Sequence, residues 1–399
     1  MQARRIYLDN AATSFPKPAS VHEAMLRYAT EVGASPGRGA YAEARDGAAM
    51  LLRCRERLCA LFGGHSPEHL IFTLNATDAL NLAIKGIVAK RRVARVDRPV
   101  HVVTTAMDHN SVLRPFNRLM NDGEAEWSCV AADEATGLVE PAAVDAAIRD
   151  DTALVAAVHG SNVSGTLQPI EKIGEVCRSR GVPLLVDAAQ SIGHVPIDVE
   201  AMGIDLLAFP GHKGLLGPLG TGALWIRPGL EEAMLPLREG GTGSRSEDDI
   251  QPSEMPDRFE PGSHNTVGIA GLLAGVEWLM DRGMDAIRAH EERLIATALA
   301  ELPGEGDGYR LLGTREVDDR VGVFSLVHES LDADVIASQL EADHGVLTRA
   351  GLHCAPRAHA TFGSLGTGAI RLSVGPFTTE DDVVTACRGL REVAAVVVR

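Results

Sequence analysis

The chain has 399 residues, of which 45% are hydrophobic, and its formal net charge is −16 at pH 7. That length suits one large domain and a smaller one, and the acidic balance argues against non-specific binding to nucleic acid or to an anionic membrane. The six cysteines show no CxxC pair or zinc-like spacing, and we find neither a signal-peptide core nor an apolar run long enough to cross a bilayer. We therefore expect a cytoplasmic protein with free thiols.

Strand-like and helix-like segments alternate through the first part of the chain. After a short apolar strand at 6–8, strands are predicted at 70–73, 100–104, 153–159, 183–187, 206–209 and 222–226. Helices are predicted between them, at 77–92, 111–121 and 170–180. This alternation indicates an α/β fold with a mostly parallel sheet covered on both faces. Ligands of such sheets bind beyond the carboxyl ends of the strands.

The second part of the chain has a different pattern. Residues 238–266 are rich in glycine, proline and serine, which predicts a long functional loop. Helices at 269–282 and 284–301 follow it. A smaller α+β region over 309–399 is then predicted from strands at 321–327 and 370–373 and helices at 334–343 and 380–396.

Two polar residues at strand ends point to a cofactor. Lys213 follows the strand at 206–209 within the segment Gly-His-Lys-Gly, and Asp187 ends the strand at 183–187. Glycines beside the lysine let a ligand approach the backbone closely. Such a pair suits pyridoxal phosphate (PLP), whose aldehyde forms a Schiff base with a lysine and whose ring nitrogen is kept protonated by a carboxylate. Alone, each residue is more often a solvated loop lysine or a helix N-cap.

Eight motifs in chain order resemble those of the class V aminotransferase-like PLP enzymes of fold type I, and within them the cysteine desulfurase and selenocysteine lyase family. They are LDNAAT at 8–13, NATDA at 75–79, DHNS at 108–111, SNVSGT at 161–166, VDAAQ at 186–190, GHK at 211–213, RFEPG at 258–262 and RAGLHC at 349–354. The resemblance implies a large domain with a mostly parallel seven-stranded sheet and a smaller α+β C-terminal domain. We divide the chain accordingly at 1–20 (a segment near the small domain and the site), 21–255 (the PLP-binding domain) and 256–399 (the small domain).

The resemblance also implies roles around the cofactor ring. Lys213 is similar to the Schiff-base lysine, which also moves the α-proton of the substrate. Asp187 resembles the partner of the pyridine nitrogen, and Gln190 and Asn162 resemble contacts of the ring hydroxyl. His109 resembles the histidine that stacks on the pyridine face and assists proton transfer.

The phosphate of the cofactor needs backbone N–H groups at a helix N-terminus and a few side-chain donors. The resemblance assigns Ala76, Thr77 and His212 to it, together with Ser263, or Thr266, acting across a dimer interface. Many relatives carry a serine where this chain has Pro210, which offers neither a hydroxyl nor an N–H. One phosphate contact therefore differs from the family pattern.

Three arginines are candidates for binding the substrate, beside Asn162. Arg371 resembles the family arginine that holds the substrate carboxylate, which a planar guanidinium can bind through two hydrogen bonds. Arg349 and Arg38 lie in motifs that resemble active-site loops. The alternative for Arg371 is a surface arginine on a strand.

Cys354 decides among the reactions of these enzymes. Transamination needs no thiol, whereas desulfuration needs a thiolate that attacks the sulfur of the PLP-bound cysteine and carries it as a persulfide. Cys354 lies between a glycine and a proline on a predicted loop, where Arg349, His353 and Arg357 favour the thiolate. The short spacing resembles the desulfurases with a compact cysteine loop. The alternative is an inert buried cysteine, the role that we assign to the other five.

We therefore expect a PLP-dependent cysteine desulfurase that converts L-cysteine to L-alanine and passes sulfur from a persulfide on Cys354 to an acceptor protein. The resemblance also implies a homodimer. Selenocysteine lyase, acting on L-selenocysteine, is a close variant. The alternatives are another class V enzyme (a C–S lyase, an epimerase or an aminotransferase) in which Cys354 is not the nucleophile, and a catalytically silent scaffold or sulfur-relay protein. No metal, nucleic-acid or membrane partner is expected.

Overall fold

A computed structural model describes residues 5–37, 39–94, 98–245 and 247–397. The strands within these ranges are β1 (Ile6–Tyr7), β2 (Leu70–Thr73), β3 (Val100–Thr105), β4 (Ala125–Val130), β5 (Thr152–Val158), β6 (Leu184–Asp187), β7 (Leu206–Pro210), β8 (Gly222–Ile226), β9 (Tyr309–Leu311), β10 (Val323–His328), β11 (Val346–Leu347), β12 (Arg349–Gly351) and β13 (Ala369–Ser373). The α-helices are α1 (Ala19–Arg27), α2 (Ala42–Leu61), α3 (Ala76–Ala94), α4 (Asn110–Asn121), α5 (Pro141–Ala147), α6 (Ile170–Arg180), α7 (Thr266–Arg282), α8 (Met284–Glu301), α9 (Ala333–His344), α10 (Pro356–Thr361) and α11 (Glu380–Val397).

Seven strands form the central sheet, in the order β2-β8-β7-β6-β5-β3-β4. The strands from β7 to β4 pair in parallel, and β8 runs antiparallel to both of its neighbours, β2 and β7. The predicted α/β fold with a mostly parallel seven-stranded sheet is therefore confirmed. The strand β4 was not predicted from the sequence. It is one of the two edge strands, and the partly exposed residues between its buried ends interrupt the apolar run that marks a buried strand.

Both faces of the central sheet are buried. Val155 and Val186 lie in one hydrophobic core with side chains of α2, α6 and α7. Their chain neighbours Leu154 and Leu185 lie in a second core with side chains of α3 and α4. Because successive strand residues point to opposite faces, continuous apolar strands are required, which is why these strands were visible in the sequence.

A second, antiparallel sheet in the order β12-β13-β10-β9 lies in the C-terminal part of the chain. With α8, α9 and α11 it forms a third core that includes Leu326, Ile370 and Leu390. Ile6 and Leu8 belong to this core too, and β1 pairs in parallel with β11. The N-terminal segment thus packs beside the C-terminal strands.

The division of the chain at residue 255 stays a prediction. The buried side chains of α7, among them Ile269, Leu272 and Val276, lie in the core of the central sheet, although this helix follows the predicted boundary. The C-terminal core begins to draw residues from α8, at Leu294. Because Ile287 of α8 still lies in the core of the central sheet, this grouping favours a boundary within α8.

Two helices near the N-terminus, α1 and α2, were not predicted. In α2, Leu51, Cys54 and Leu58 are buried, and the helix packs on α7. Only the glycine in this helix has a low helix propensity, and the spacing of these buried residues is helical, so the sequence did contain the signal for α2. Among the residues that the structure describes, no helix has both the length and the apolar composition needed to cross a bilayer.

Candidate active site

The carboxyl ends of the central strands meet around one cavity of about 100 Å³. Five predicted site residues reach it from separate strand ends: Thr77 after β2, His109 after β3, Asn162 after β5, Asp187 at the end of β6 and Lys213 after β7. Three further predicted residues also line it, namely Ala76, Gln190 and His212. The parallel sheet thus brings together side chains that are far apart in the sequence, at the edge where such sheets bind ligands.

Lys213 and Asp187 are the charged pair of the cavity. Burial lowers the pKa of Lys213 to about 8, and the Asp187 carboxylate opposes this shift. Burial raises the pKa of Asp187, against the backbone N–H of Ala189, which donates to it at 2.9 Å. An amine that loses its proton near neutral pH can act as a nucleophile and as a base. The glycine after the lysine is required, because a Cβ on Gly214 would lie 2.1 Å from the carbonyl oxygen of Ile192.

His109 is a neutral ring at the start of α4. Its Nδ1 accepts a hydrogen bond from the backbone N–H of Ser111 at 3.1 Å and lies 2.9 Å from Ser111 Oγ. Burial, followed by the charge of Lys213, lowers the pKa of His109 to about 4. A flat, uncharged imidazole fits the predicted stacking on an aromatic cofactor ring.

His212 is held by the N-terminal segment of the chain. Its carbonyl oxygen accepts hydrogen bonds from the hydroxyl of Thr13 at 3.1 Å and from the backbone N–H of Ser14 at 3.0 Å. Lys17 reaches the same oxygen at 3.4 Å. The ring Nδ1 of His212 is buried and has no hydrogen-bond partner among the described residues. A buried donor or acceptor of this kind is costly unless a ligand satisfies it.

The cysteine loop is tied directly to the cavity. The side-chain Nδ2 of Asn162 donates to the carbonyl oxygen of His353 at 2.5 Å, and the backbone N–H of Asn110 donates to the carbonyl oxygen of Cys354 at 2.8 Å. His353 and Cys354 both have left-handed backbone conformations, with φ of 48° and 59°, which non-glycine residues adopt at a cost of about 1–2 kcal/mol each. The Cys354 side chain is exposed, whereas the other cysteines are buried or half-buried.

Arg371 lies in β13 with an almost fully buried side chain. Its Nη2 donates to Asp9 Oδ1 at 2.9 Å and its Nη1 to the carbonyl oxygen of Asn162 at 3.1 Å. Its Nε is buried without a hydrogen-bond partner among the described residues. Arg349 is the direct cross-strand partner of Arg371. Two like charges placed opposite each other are unfavourable without an anion between them, which supports the predicted carboxylate site.

Two predicted site residues make contacts that were not predicted. The guanidinium of Arg357 lies over the ring of Trp127 at 4.6 Å. The Gln190 amide lines the cavity but donates to the carbonyl oxygen of Ala11 at 2.9 Å. Arg38 lies outside the described residues.

Ser263 does not line the cavity of Lys213. It lies in a separate cavity formed by its own loop and the ends of β2 and β8. The loop is anchored by Glu260, whose carboxylate binds the Arg55 guanidinium through two hydrogen bonds of 2.9 and 2.6 Å. This ion pair holds the loop, and Ser263 is exposed on it. Pro210, at the end of β7, lines the main cavity.

The residues of the cavity fit PLP. The N-terminus of α3 with Thr77, and the unpartnered Nδ1 of His212, suit a phosphate. Asp187 and the neutral His109 suit a pyridine ring, and Lys213 suits its aldehyde.

The roles of two further residues, Asp9 and Asp108, were not predicted from the sequence. Asp9 lies in the LDNAAT motif, and only the ion pair with Arg371 shows what its carboxylate does. Asp108 is fully buried and accepts hydrogen bonds from the hydroxyls of Thr104 and Thr105 at 2.6 and 2.9 Å, which fixes the turn before His109. A buried acid within four residues of two threonines is the pattern that would have indicated such a turn.

Comparison with known proteins agrees with this geometry. The family model for aminotransferase class V matches residues 6–385. A probable cysteine desulfurase of Methanothermobacter thermautotrophicus is 33% identical, over 98% of this chain and 94% of the relative. The cysteine desulfurase of Yersinia pestis is 31% identical, over 97% of this chain and 93% of the relative.

Solved structures show the same relationship. The apo structure of a cysteine desulfurase from Thermococcus onnurineus NA1 matches with a TM-score of 0.90 at 30% identity, over 98% of this chain and 95% of that chain. A cysteine desulfurase from Escherichia coli matches with a TM-score of 0.85 at 26% identity, over 98% of this chain and 95% of that chain. Class V aminotransferases are PLP-dependent, and the cavity provides for that cofactor. The chain therefore belongs to the class V aminotransferase family and, within it, to the cysteine desulfurases.

Proposed function

We propose that this protein is a PLP-dependent cysteine desulfurase that converts L-cysteine to L-alanine and takes up the sulfur as a persulfide on Cys354. The observation that carries this proposal is the position of Cys354. It is exposed, and its loop is hydrogen-bonded to Asn162 and to the N-terminus of α4, which also carries His109. A thiol with no part in the reaction would not need two backbone contacts to the cofactor cavity.

When bound, PLP supplies an electron sink for negative charge at the substrate α-carbon. Arg371 and Arg349 bind the substrate carboxylate and orient the α-carbon toward Lys213. Lys213 Nζ, whose pKa burial lowers to about 8, takes up the α-proton as its free amine. The Cys354 thiolate then forms a bond to the substrate sulfur while the bond between that sulfur and the β-carbon breaks. Protonation of the remaining carbon skeleton completes alanine.

Alanine formation from L-cysteine tests this proposal, measured together with the mass of the protein after a single turnover. We expect wild type to form alanine and to gain the mass of one sulfur atom. Cys354→Ala should retain bound PLP and lose both products, and Lys213→Ala should lose the reaction entirely. Cys129→Ala, a half-buried cysteine on β4, is the matched control and should behave as wild type. Full sulfur release by Cys354→Ala would overturn the persulfide step.

We also propose a homodimer in which Ser263 completes the phosphate site of the partner subunit. Ser263 is exposed, and the ion pair of Glu260 with Arg55 holds its loop in place. Several large apolar side chains, including Leu26, Leu52 and Leu219, are exposed in the single chain, as expected of a surface that a partner covers. Mixing Lys213→Ala with Ser263→Ala subunits tests this arrangement. Hybrid dimers should regain one site with full PLP affinity, which two independent monomers would not do.

The sulfur acceptor would be a protein that reaches the exposed Cys354. A location in a reducing cytoplasm remains a prediction from the sequence, in keeping with a thiol that must stay reduced between turnovers.

A further inference from the structure

A chain of hydrogen bonds joins the two ends of the cofactor cavity. Ser111 Oγ lies 2.8 Å from Thr77 Oγ1 and 2.9 Å from His109 Nδ1. Ser111 is 8% exposed and lines the cavity itself. The Ser111 hydroxyl therefore links the Thr77 hydroxyl to the imidazole of His109.

The donors and acceptors of this chain follow from one backbone contact. The N–H of Ser111 donates to His109 Nδ1 at 3.1 Å, so this nitrogen carries a lone pair and no proton. The neutral ring therefore holds its proton on Nε2. Nδ1 has a single lone pair, which the Ser111 hydroxyl shares with the Ser111 N–H when it donates to Nδ1 at 2.9 Å, and the Thr77 hydroxyl then donates to Ser111 Oγ.

A phosphate bound at the N-terminus of α3 changes which hydroxyl protons are available to the Thr77–Ser111–His109 chain. Thr77 has one hydroxyl proton, which an anionic phosphate oxygen attracts. Once that proton has turned to the phosphate, Ser111 has one proton for two acceptors, Thr77 Oγ1 and His109 Nδ1. Occupancy at one end of the cavity then alters the hydrogen bonding of the imidazole at the other end.

We propose that Ser111 is a positioning residue whose hydroxyl transmits phosphate binding at Thr77 to Nδ1 of the His109 imidazole. This inference rests on the proposed function only in taking the α3 end as the phosphate end. It concerns a residue that the family resemblance did not assign. If Ser111 had only a structural role, its backbone N–H would be sufficient, because that N–H donates to His109 Nδ1 in any variant at this position.

The test uses cofactor-free protein labelled with ¹⁵N in its histidine rings, with the His109 signals assigned from a His109→Gln variant. The ring ¹⁵N shifts report the tautomer, and inorganic phosphate is the probe. We expect wild type to show the Nε2–H tautomer and a shift of the Nδ1 signal when phosphate binds. Ser111→Ala should lose that shift and bind phosphate and PLP roughly two- to tenfold more weakly, the loss of about one hydrogen bond. Ser111→Thr keeps the hydroxyl and should restore both.

Ser364→Ala is the matched control. Ser364 is fully buried, and its hydroxyl lies 2.8 Å from Nδ1 of another buried histidine, His359. This variant should change the His359 signals and leave those of His109 and the phosphate affinity unchanged. The proposal is wrong if His109 in Ser111→Ala responds to phosphate as in wild type, or if wild-type Nδ1 carries the proton. Neither result depends on turnover, so failure of the desulfurase assignment would be seen separately.

Discussion

The charge of the buried Lys213 should reduce the stability of the cofactor-free protein. Burial lowers the pKa of Lys213 from 10.5 to about 8. One pKa unit corresponds to about 1.4 kcal/mol, so the charged lysine costs about 3 kcal/mol in the folded state relative to the unfolded chain. Lys213→Met keeps a side chain of similar length without the charge. We therefore expect this variant, free of PLP, to be more stable than wild type by about 3 kcal/mol at pH 7.

The stability difference between Lys213→Met and wild type should depend on pH. Below pH 8 the lysine is protonated in both states, so the full cost is present. Between about pH 8 and 10.5 the folded state releases its proton first, the unfolded state binds more protons, and the stability of wild type rises with pH. The advantage of Lys213→Met over wild type should therefore shrink across this interval.

Thermal unfolding of cofactor-free protein measures the difference. An unfolding entropy of about 2.1 cal/mol/K per residue makes 3 kcal/mol equivalent to about 4 °C in Tm for a chain of this length. Wild type and variants are compared at one protein concentration, because association shifts Tm. Lys172→Met, at an exposed position of α6, is the control and should show no gain. An equal or lower Tm for Lys213→Met at pH 7, or a gain that grows between pH 8 and 10, would refute the reasoning.

Three other variants test the supports of the site. Glu260→Gln breaks a buried ion pair and should lower the free energy of unfolding in urea by about 3–5 kcal/mol. The control, Glu341→Gln in an exposed pair, should lower it by about 0–1 kcal/mol. Equal losses in the two variants would contradict this prediction. Arg371→Lys removes the bidentate hydrogen bonding of the guanidinium, so steady-state kinetics should show KM for cysteine rising roughly tenfold. An unchanged KM would show that the substrate carboxylate binds elsewhere. Gly214→Ala places a Cβ against the Ile192 carbonyl oxygen, so absorbance spectra should show that the variant does not retain PLP. Normal retention of PLP would show that the backbone after Lys213 can shift to accept the Cβ.

The central sheet was predictable because its signals are local. The strands β2 and β8 and the helices α6 and α8 have the predicted bounds, since continuous apolar runs mark buried strands and periodic ones mark helices. The strand β4 was missed because the partly exposed residues between its ends interrupt the apolar run, whereas α2 was missed although its buried residues have helical spacing.

The positions of the main site residues were predictable for a related reason. Lys213, Asp187, His109 and Asn162 each follow a predicted strand, and parallel strands bring their carboxyl ends to one edge. The sequence by itself therefore determined the fold, the cofactor and the residues that surround it. Their motifs also identified the family before any contact was known.

Only the tertiary structure decided how these residues are held. Asp9 pairs with Arg371 across 362 positions of the chain, the Ser111 hydroxyl joins Thr77 to His109, and Arg357 stacks on Trp127. Such contacts depend on strand order and on the rotamers that packing allows, which local propensity does not encode. The residue types of the site are thus a property of the sequence, whereas its hydrogen bonds and charge pairs are a property of the fold.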